Sequence, residues 1–176
     1  MKTPKNYWDF LVQDHSLYQM GPQSHRVYML DLLNRHGVHS ILDVGCGTGP
    51  IYELIKDYRE GNKYTDHSWN FKYKGTDYSE GMIESCKFNF PDGNWEVEDA
   101  RKLKEADESW DCVLLMHCLD HLDDYESAIN EAARVAKKYV CIILWRGVNY
   151  GKDAQNNLNS RSRYGKADDD ETLWED

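Results

Sequence analysis

Residues 41–50 read Ile-Leu-Asp-Val-Gly-Cys-Gly-Thr-Gly-Pro, an apolar run that passes one carboxylate and ends in three alternating glycines. This is the pattern of a strand that delivers a nucleotide-sized ligand to bare backbone. Gly45, Gly47 and Gly49 remove side chains where the chain turns tightly and let a ligand come close, and Pro50 suits the first position of a helix. The turn is therefore a ligand seat with a helix N-terminus beside it.

Working outward, the strand spans 40–44, and Ile51, Leu54, Ile55 and Tyr58 follow it at the spacing of one buried helical face. Upstream, Ser24 is placed to cap a helix with an apolar stripe of Val27, Leu30 and Leu33 flanked by Tyr28 and Met29, closed by Gly37. Downstream, 59–70 is a polar loop, and Phe71–Thr76 is a second strand ending on Asp77. Ser79 then caps a helix carrying Met82, Ile83, Cys86 and Phe90. Pro91-Asp92-Gly93 is a turn, with Pro presetting one dihedral and Gly accepting a positive one. Strand three is Trp95–Glu98, and strand four is the nearly unbroken apolar run Cys112–Leu119. Asp123 with Glu126 forms a capping box for a helix burying Ile129, Ala132, Ala133 and Val135, and Tyr139–Trp145 is strand five.

Strands alternating with helices predict an α/β fold: a doubly wound, mainly parallel sheet with helices on both faces. One domain over 1–176 accounts for the chain, with N-terminal helices or a lid over 1–38, a ligand-binding core over 39–146 and a polar tail over 147–176. The aromatic segment 3–20, with Tyr7, Trp8 and Tyr18, is either a lid over a substrate or a helix covering the sheet. Within the tail, Leu173 and Trp174 are the residues able to dock.

A formal charge of −10 argues against a broad phosphate-binding face, so no nucleic-acid partner is expected. Five cysteines without CxxC spacing, three of them in apolar runs, read as reduced core thiols rather than a metal site. No early apolar segment has the length of a secretion signal or membrane span, so a soluble, cytoplasmic protein without membrane attachment is expected.

The informative residues sit where strands stop: Asp43, Asp77, Asp99 and the stretch from Met116 to His121. A carboxylate ending strand two, after a glycine turn that ends strand one, is placed to accept ribose hydroxyls, and one ending strand three can take a base amine. That describes a nucleoside-containing ligand. A dinucleotide fingerprint needs G-x-G-x-x-G, and its third place falls on Pro50 or Tyr52, so it fails. A phosphate-binding P-loop fails too, because no Gly-Lys-Ser/Thr follows.

Leu42-Asp43-Val44-Gly45-Cys46-Gly47-Thr48-Gly49 resembles the first motif of class I, Rossmann-like S-adenosylmethionine-dependent methyltransferases. Thr76-Asp77-Tyr78-Ser79, Glu98-Asp99-Ala100, and Trp110-Asp111 leading to His121-Leu122 resemble the next three motifs of the branch acting largely on small molecules. The resemblance covers residues 40 to about 145. It implies that S-adenosylmethionine is the cofactor and S-adenosylhomocysteine the product. It further implies that the Gly45, Cys46, Gly47 and Gly49 backbone faces the methionyl end, with Asp43 buttressing the turn. By the same resemblance, Asp77 holds the ribose hydroxyls, Tyr78 and Met82 flank the adenine, Asp99 and Ala100 meet its polar edge, and the backbone at Met116 and His117 closes on the methionyl ammonium.

A sulfonium methyl is already activated, so such an enzyme mainly aligns an acceptor and excludes water. His121 is the candidate base or acceptor contact, the alternative being a residue that ties its loop to the next helix. His117 either lines the cofactor pocket or packs. Cys46 and Cys118 read as buried thiols, with redox or metalloid chemistry the competing role. His15 and Arg26 could reach an anionic substrate, though nothing in their spacing demands it. The acceptor itself is not legible.

Members of this class usually continue beyond strand five into an antiparallel strand pair, and no candidate pair appears here. The expectation is a shortened form, or a second copy of the chain covering the strand-five edge. Methyl transfer to a small molecule by in-line displacement is the leading reading. The alternatives are a cofactor-binding subunit that is non-catalytic or needs a partner, and a nucleotide-dependent oxidoreductase. The Asn/Asp-Pro-Pro-aromatic tetrapeptide of amine-modifying nucleic-acid methyltransferases is absent from the chain.

Overall fold

Strand β1, Ser40–Val44, is the middle of the sheet, and Ile41, Leu42, Asp43 and Val44 are all buried in it. The structure, a computed structural model, describes residues 24–59 and 69–144. In chain order these form α1 (Ser24–Arg35), β1, α2 (Pro50–Arg59), β2 (Lys72–Asp77), α3 (Glu80–Asn89), β3 (Trp95–Val97), β4 (Trp110–Met116), a 3-10 turn (Leu119–His121), α4 (Tyr125–Val135) and β5 (Ala136–Ile143).

The sheet order is β3-β2-β1-β4-β5, and every neighbouring pair is parallel. Asp43 lies level with Gly75 of β2 and Leu114 of β4, so the carboxyl ends of β1, β2 and β4 finish together. The order reverses beside β1, which puts a crevice at the glycine turn.

Alternation along the strands sends side chains to two cores. On one face Ile41, Cys112 and Leu114 meet Leu30 and Leu33 of α1, Ile51 and Ile55 of α2, and Ile83 and Cys86 of α3. On the other, Leu42, Val44, Val113 and Leu115 meet Ala128, Ala132 and Val135 of α4. β4 is buried along its whole length, which explains its unbroken apolar run.

Several local expectations are corrected. Tyr28 is 65% exposed, because it lies outside the i, i+3, i+4 stripe that buries Met29, Leu30 and Leu33. β4 stops at Met116, not Leu119, since His117 turns to a left-handed φ of 57° and Leu119 enters the 3-10 turn. Asp124 rather than Asp123 caps α4, accepting from the Ser127 amide at 3.0 Å. Ala133 is exposed and Ala128 takes its place, giving the buried series 128, 132, 135. β5 begins at Ala136, directly at the end of α4, with no intervening loop.

The Pro91–Gly93 turn forms, closed by Gly93 N–H donating to the Phe90 carbonyl at 3.0 Å, but Gly93 is not among the positive-φ glycines. A glycine is needed there for space, because a Cβ would lie 2.3 Å from the Trp95 indole nitrogen. The expected aromatic lid over 3–20, the centre of the 59–70 loop, Trp145 and the tail fall outside the described residues. Among the described residues β5 is one edge of the sheet, and no helix is long and apolar enough to cross a membrane.

Candidate functional site

The glycine turn leaves β1 with φ of 76° at Gly45, 56° at Gly47 and 85° at Gly49. Other L-residues pay roughly 1–2 kcal/mol in that region. Its amides are held by the end of β2. The Thr76 carbonyl accepts from Gly45 N–H at 2.8 Å and Cys46 N–H at 2.9 Å, and Asp77 Oδ2 accepts from Gly47 N–H at 2.9 Å. Gly45 has a second reason to be glycine, since a Cβ would meet the Cys118 Cβ at 2.8 Å. Pro50 opens α2 as expected.

Three carboxylates stand at or just beyond the ends of β1, β2 and β3, each held differently. Asp43 is buried and accepts from the Tyr73 hydroxyl at 2.7 Å. Burial pushes its pKa up to about 6, against the Tyr73 hydrogen bond and the charge of Arg26. Its hydrogen bond goes to β2 rather than to the turn it was expected to buttress. Asp77 accepts from Gly47 through Oδ2 and from Ser79 N–H through Oδ1 at 2.9 Å, so it links the turn to the start of α3.

Asp99 is gripped by Arg101, whose Nε donates to Oδ1 at 2.9 Å and Nη2 to Oδ2 at 2.7 Å, with the Arg101 amide adding a third bond at 3.0 Å. These bonds hold Asp99 below the usual carboxylate range. Sequence reasoning missed Arg101, although Asp-x-Arg at a strand end is a signal for such a fork. Tyr78 is half exposed, Ala100 is buried, and Met82 is buried with its amide capped by Ser79 Oγ at 3.1 Å.

At the end of β4, Met116 is buried, and the left-handed His117 donates its backbone N–H to the Ile143 carbonyl at 2.7 Å. The His117 ring meets the His25 ring edge-on, centroids 5.8 Å apart, bringing the first turn of α1 to the site. Burial, then Arg26, lowers the His117 pKa. His121 ends the 3-10 turn half-buried, its amide bonded to the Cys118 carbonyl at 3.2 Å. His25, Tyr73 and the Thr76 carbonyl were not legible as site groups; a backbone carbonyl carries no mark of residue type.

The thiols near the turn are protonated. Burial pushes Cys118 up to about 12, and Cys46 well above its ordinary value. Cys86 Sγ donates to the Gly47 carbonyl at 3.1 Å, a packing role. Among the described residues no cluster of three or more His, Cys, Asp or Glu could hold a metal.

The fold and the turn define a Rossmann-like methyltransferase domain. The family profile described as "Methyltransferase domain" matches residues 42–144, more than half of the chain, and the chain belongs to that family. S-adenosylmethionine is the cofactor of this family. Among curated relatives, the ubiquinone/menaquinone biosynthesis C-methyltransferase UbiE of Desulfotalea psychrophila is 32% identical over 111 residues, covering 60% of this chain and 42% of that protein. Norajmaline N-methyltransferase of Rauvolfia serpentina is 26% identical over 194 residues, covering 97% of this chain and 62% of the relative. The chain thus spans less than two thirds of the length of these relatives. A putative S-adenosyl-L-methionine-dependent methyltransferase of Methanococcus maripaludis shares the fold with a TM-score of 0.60 at 15% identity, covering 91% of this chain and 71% of that one.

Proposed function

We propose that this protein transfers a methyl group from S-adenosylmethionine to a small-molecule acceptor. The observation that carries the reading is the glycine turn, whose successive amides are pinned by Thr76 and Asp77 at the end of β2. That arrangement leaves a rigid, side-chain-free cradle with a carboxylate at its rim, which fits an adenosine bearing an amino-acid arm. When bound, the cofactor supplies a methyl group on a sulfonium centre that needs no further activation.

In this reading Asp77 accepts from the ribose hydroxyls while holding Gly47, and Tyr78 lies over the adenine. Asp99, already forked by Arg101, orders the adenine end and offers what acceptor capacity Arg101 leaves. The backbone at Met116 and His117, tied to β5, borders the methionyl end. Asp43 stays at the end of β1 beside the turn, bonded to the Tyr73 hydroxyl. His121 sits on the turn after β4 and takes a proton from an acceptor that must lose one. Tyr7, Trp8 and Tyr18 are assigned to the acceptor side on the sequence pattern alone.

A second reading, a subunit that needs a covering chain or a second copy of itself, is favoured by one feature. Among the described residues β5 is a sheet edge with Tyr139, Ile142 and neighbouring Leu144 exposed. Calorimetric titration with S-adenosylmethionine, S-adenosylhomocysteine and NADH tests the main claim. Binding of both sulfur nucleosides and not NADH is expected, and the reverse sinks it. Methyl transfer to at least one member of a broad acceptor panel is expected; binding without any transfer favours the second reading.

A further inference from the structure

Arg101 spends its guanidinium on a carboxylate two residues away. Nε donates to Asp99 Oδ1 at 2.9 Å and Nη2 to Oδ2 at 2.7 Å, a fork on both oxygens, and the Arg101 amide adds a bond to Oδ1 at 3.0 Å. The turn that carries this fork is closed by Lys102 N–H, which donates to the Asp99 carbonyl at 2.9 Å. Both of its ends are anchored. Glu98 N–H donates to the Asp77 carbonyl at 3.0 Å, joining the end of β3 to the end of β2, and the Glu98 carboxylate accepts from Lys74 Nζ at 2.8 Å and the Lys104 amide at 3.1 Å. On the other side, Leu103 N–H donates to Glu131 of α4 at 2.8 Å.

Stability does not account for the fork. The Arg101 and Asp99 side chains are 35% and 32% exposed, and an ion pair open to water to that degree contributes little to folding. The fork instead fixes which lone pairs remain. Among the described residues Oδ1 accepts two bonds and Oδ2 one, so of the carboxylate's about four lone-pair sites a single one is left, on Oδ2. The Arg101 side chain also favours the ionised form, holding Asp99 below the usual carboxylate range. An ionised carboxylate accepts and never donates, and with both oxygens gripped it does not rotate to offer another edge.

We infer that Arg101 determines base specificity by acting through Asp99: its fork leaves one fixed acceptor site, which selects a nucleoside whose base carries an exocyclic amine and rejects the 6-oxo counterpart. This rests on the methyltransferase reading, in which Asp99 meets the nucleobase. An amine donates to the remaining lone pair of Oδ2. A 6-oxo group brings lone pair against lone pair, and the pinned carboxylate neither turns nor takes up a proton to answer it.

Calorimetry with S-adenosylhomocysteine and S-inosylhomocysteine, in which a 6-oxo group replaces the amine, reads the preference as a ratio of affinities. Wild type should favour the adenosyl compound ~10- to 100-fold, the scale of a hydrogen bond to a charged group. Arg101→Met keeps the aliphatic stem and removes the fork, and should cut that ratio by about tenfold. Asp99→Asn should cut it too, and the two substitutions together should cut it no further, because Arg101 acts through Asp99. A ratio unchanged in Arg101→Met, equal weakening of both nucleosides, or losses that add in the double variant overturn the assignment and leave the methyltransferase reading in place. A wild-type chain that binds both nucleosides equally also overturns it, and one that binds neither overturns both.

Discussion

At the scale of single residues, the carboxylates at the strand ends differ in what holds them. Asp43 is buried and bonded to Tyr73 of β2. Its folded pKa of about 6 lies above the ordinary carboxylate value, so its contribution to stability is complete at low pH and is lost as pH rises through 6. Asp43→Asn should therefore raise the thermal midpoint relative to wild type at pH 7, by the equivalent of roughly 2–3 kcal/mol, and give little gain at pH 4. A variant-minus-wild-type difference that is flat between these pH values would contradict this account. Asp77 pins Gly47, and its proposed second role is to accept from the ribose hydroxyls. Asp77→Ala should weaken S-adenosylhomocysteine binding by about 1–3 kcal/mol by calorimetry. Unchanged affinity would remove its ribose role.

At the scale of elements, two clusters lock β2 to its neighbours, and neither shows in the hydrophobic pattern. The first is Trp95, laid across Gly75 and Gly93 with its indole N–H donating to the Phe90 carbonyl at 2.9 Å. A Cβ on Gly75 would fall 2.5 Å from the ring, and Gly75 has no positive φ, so the cost of Gly75→Ala is steric alone. Its penalty in thermal or urea unfolding should shrink by about 1–3 kcal/mol in a Trp95→Leu background, and additive penalties would refute the contact. The second cluster is the buried Lys74, whose ammonium donates to Glu105 at 2.6 Å, Glu96 at 2.7 Å and Glu98 at 2.8 Å. Burial pulls Lys74 down, but these bonds outweigh it and raise the net value. Burial also raises Glu98, against the bond from Lys74. Lys74→Met leaves carboxylates facing one another and should cost about 3–5 kcal/mol at pH 7. That deficit should narrow toward pH 5 as the raised carboxyl protonates, and a pH-independent deficit would argue against the cluster. The strands and helices themselves were legible because periodicity is local: Ile51, Leu54 and Ile55 lie on a buried face as read. Boundaries were less so, since His117 ends β4 through a backbone angle that nothing in its apolar neighbourhood announces.

At the scale of the molecule, the parallel order β3-β2-β1-β4-β5 brings three strand ends into one crevice, so a ligand bound there ties together distant parts of the chain. Saturating S-adenosylhomocysteine should accordingly stabilise the whole fold, by about 2.7 kcal/mol at a hundredfold excess over its dissociation constant, seen as a rise in thermal midpoint. NADH at the same concentration should produce no rise. Residues 41–50, with the carboxylates at 77 and 99, were enough to determine the fold class, the cofactor family and where the crevice lies. Strand content and glycine spacing are short-range properties, carried by side chains that each local segment displays. The tertiary structure alone decided which atoms hold the turn, that Tyr73 holds Asp43, and that the His25 ring meets His117. Those contacts depend on strand order and on partners such as Gly47 and Asp77, 30 residues apart, and several run through backbone groups that are the same in every residue.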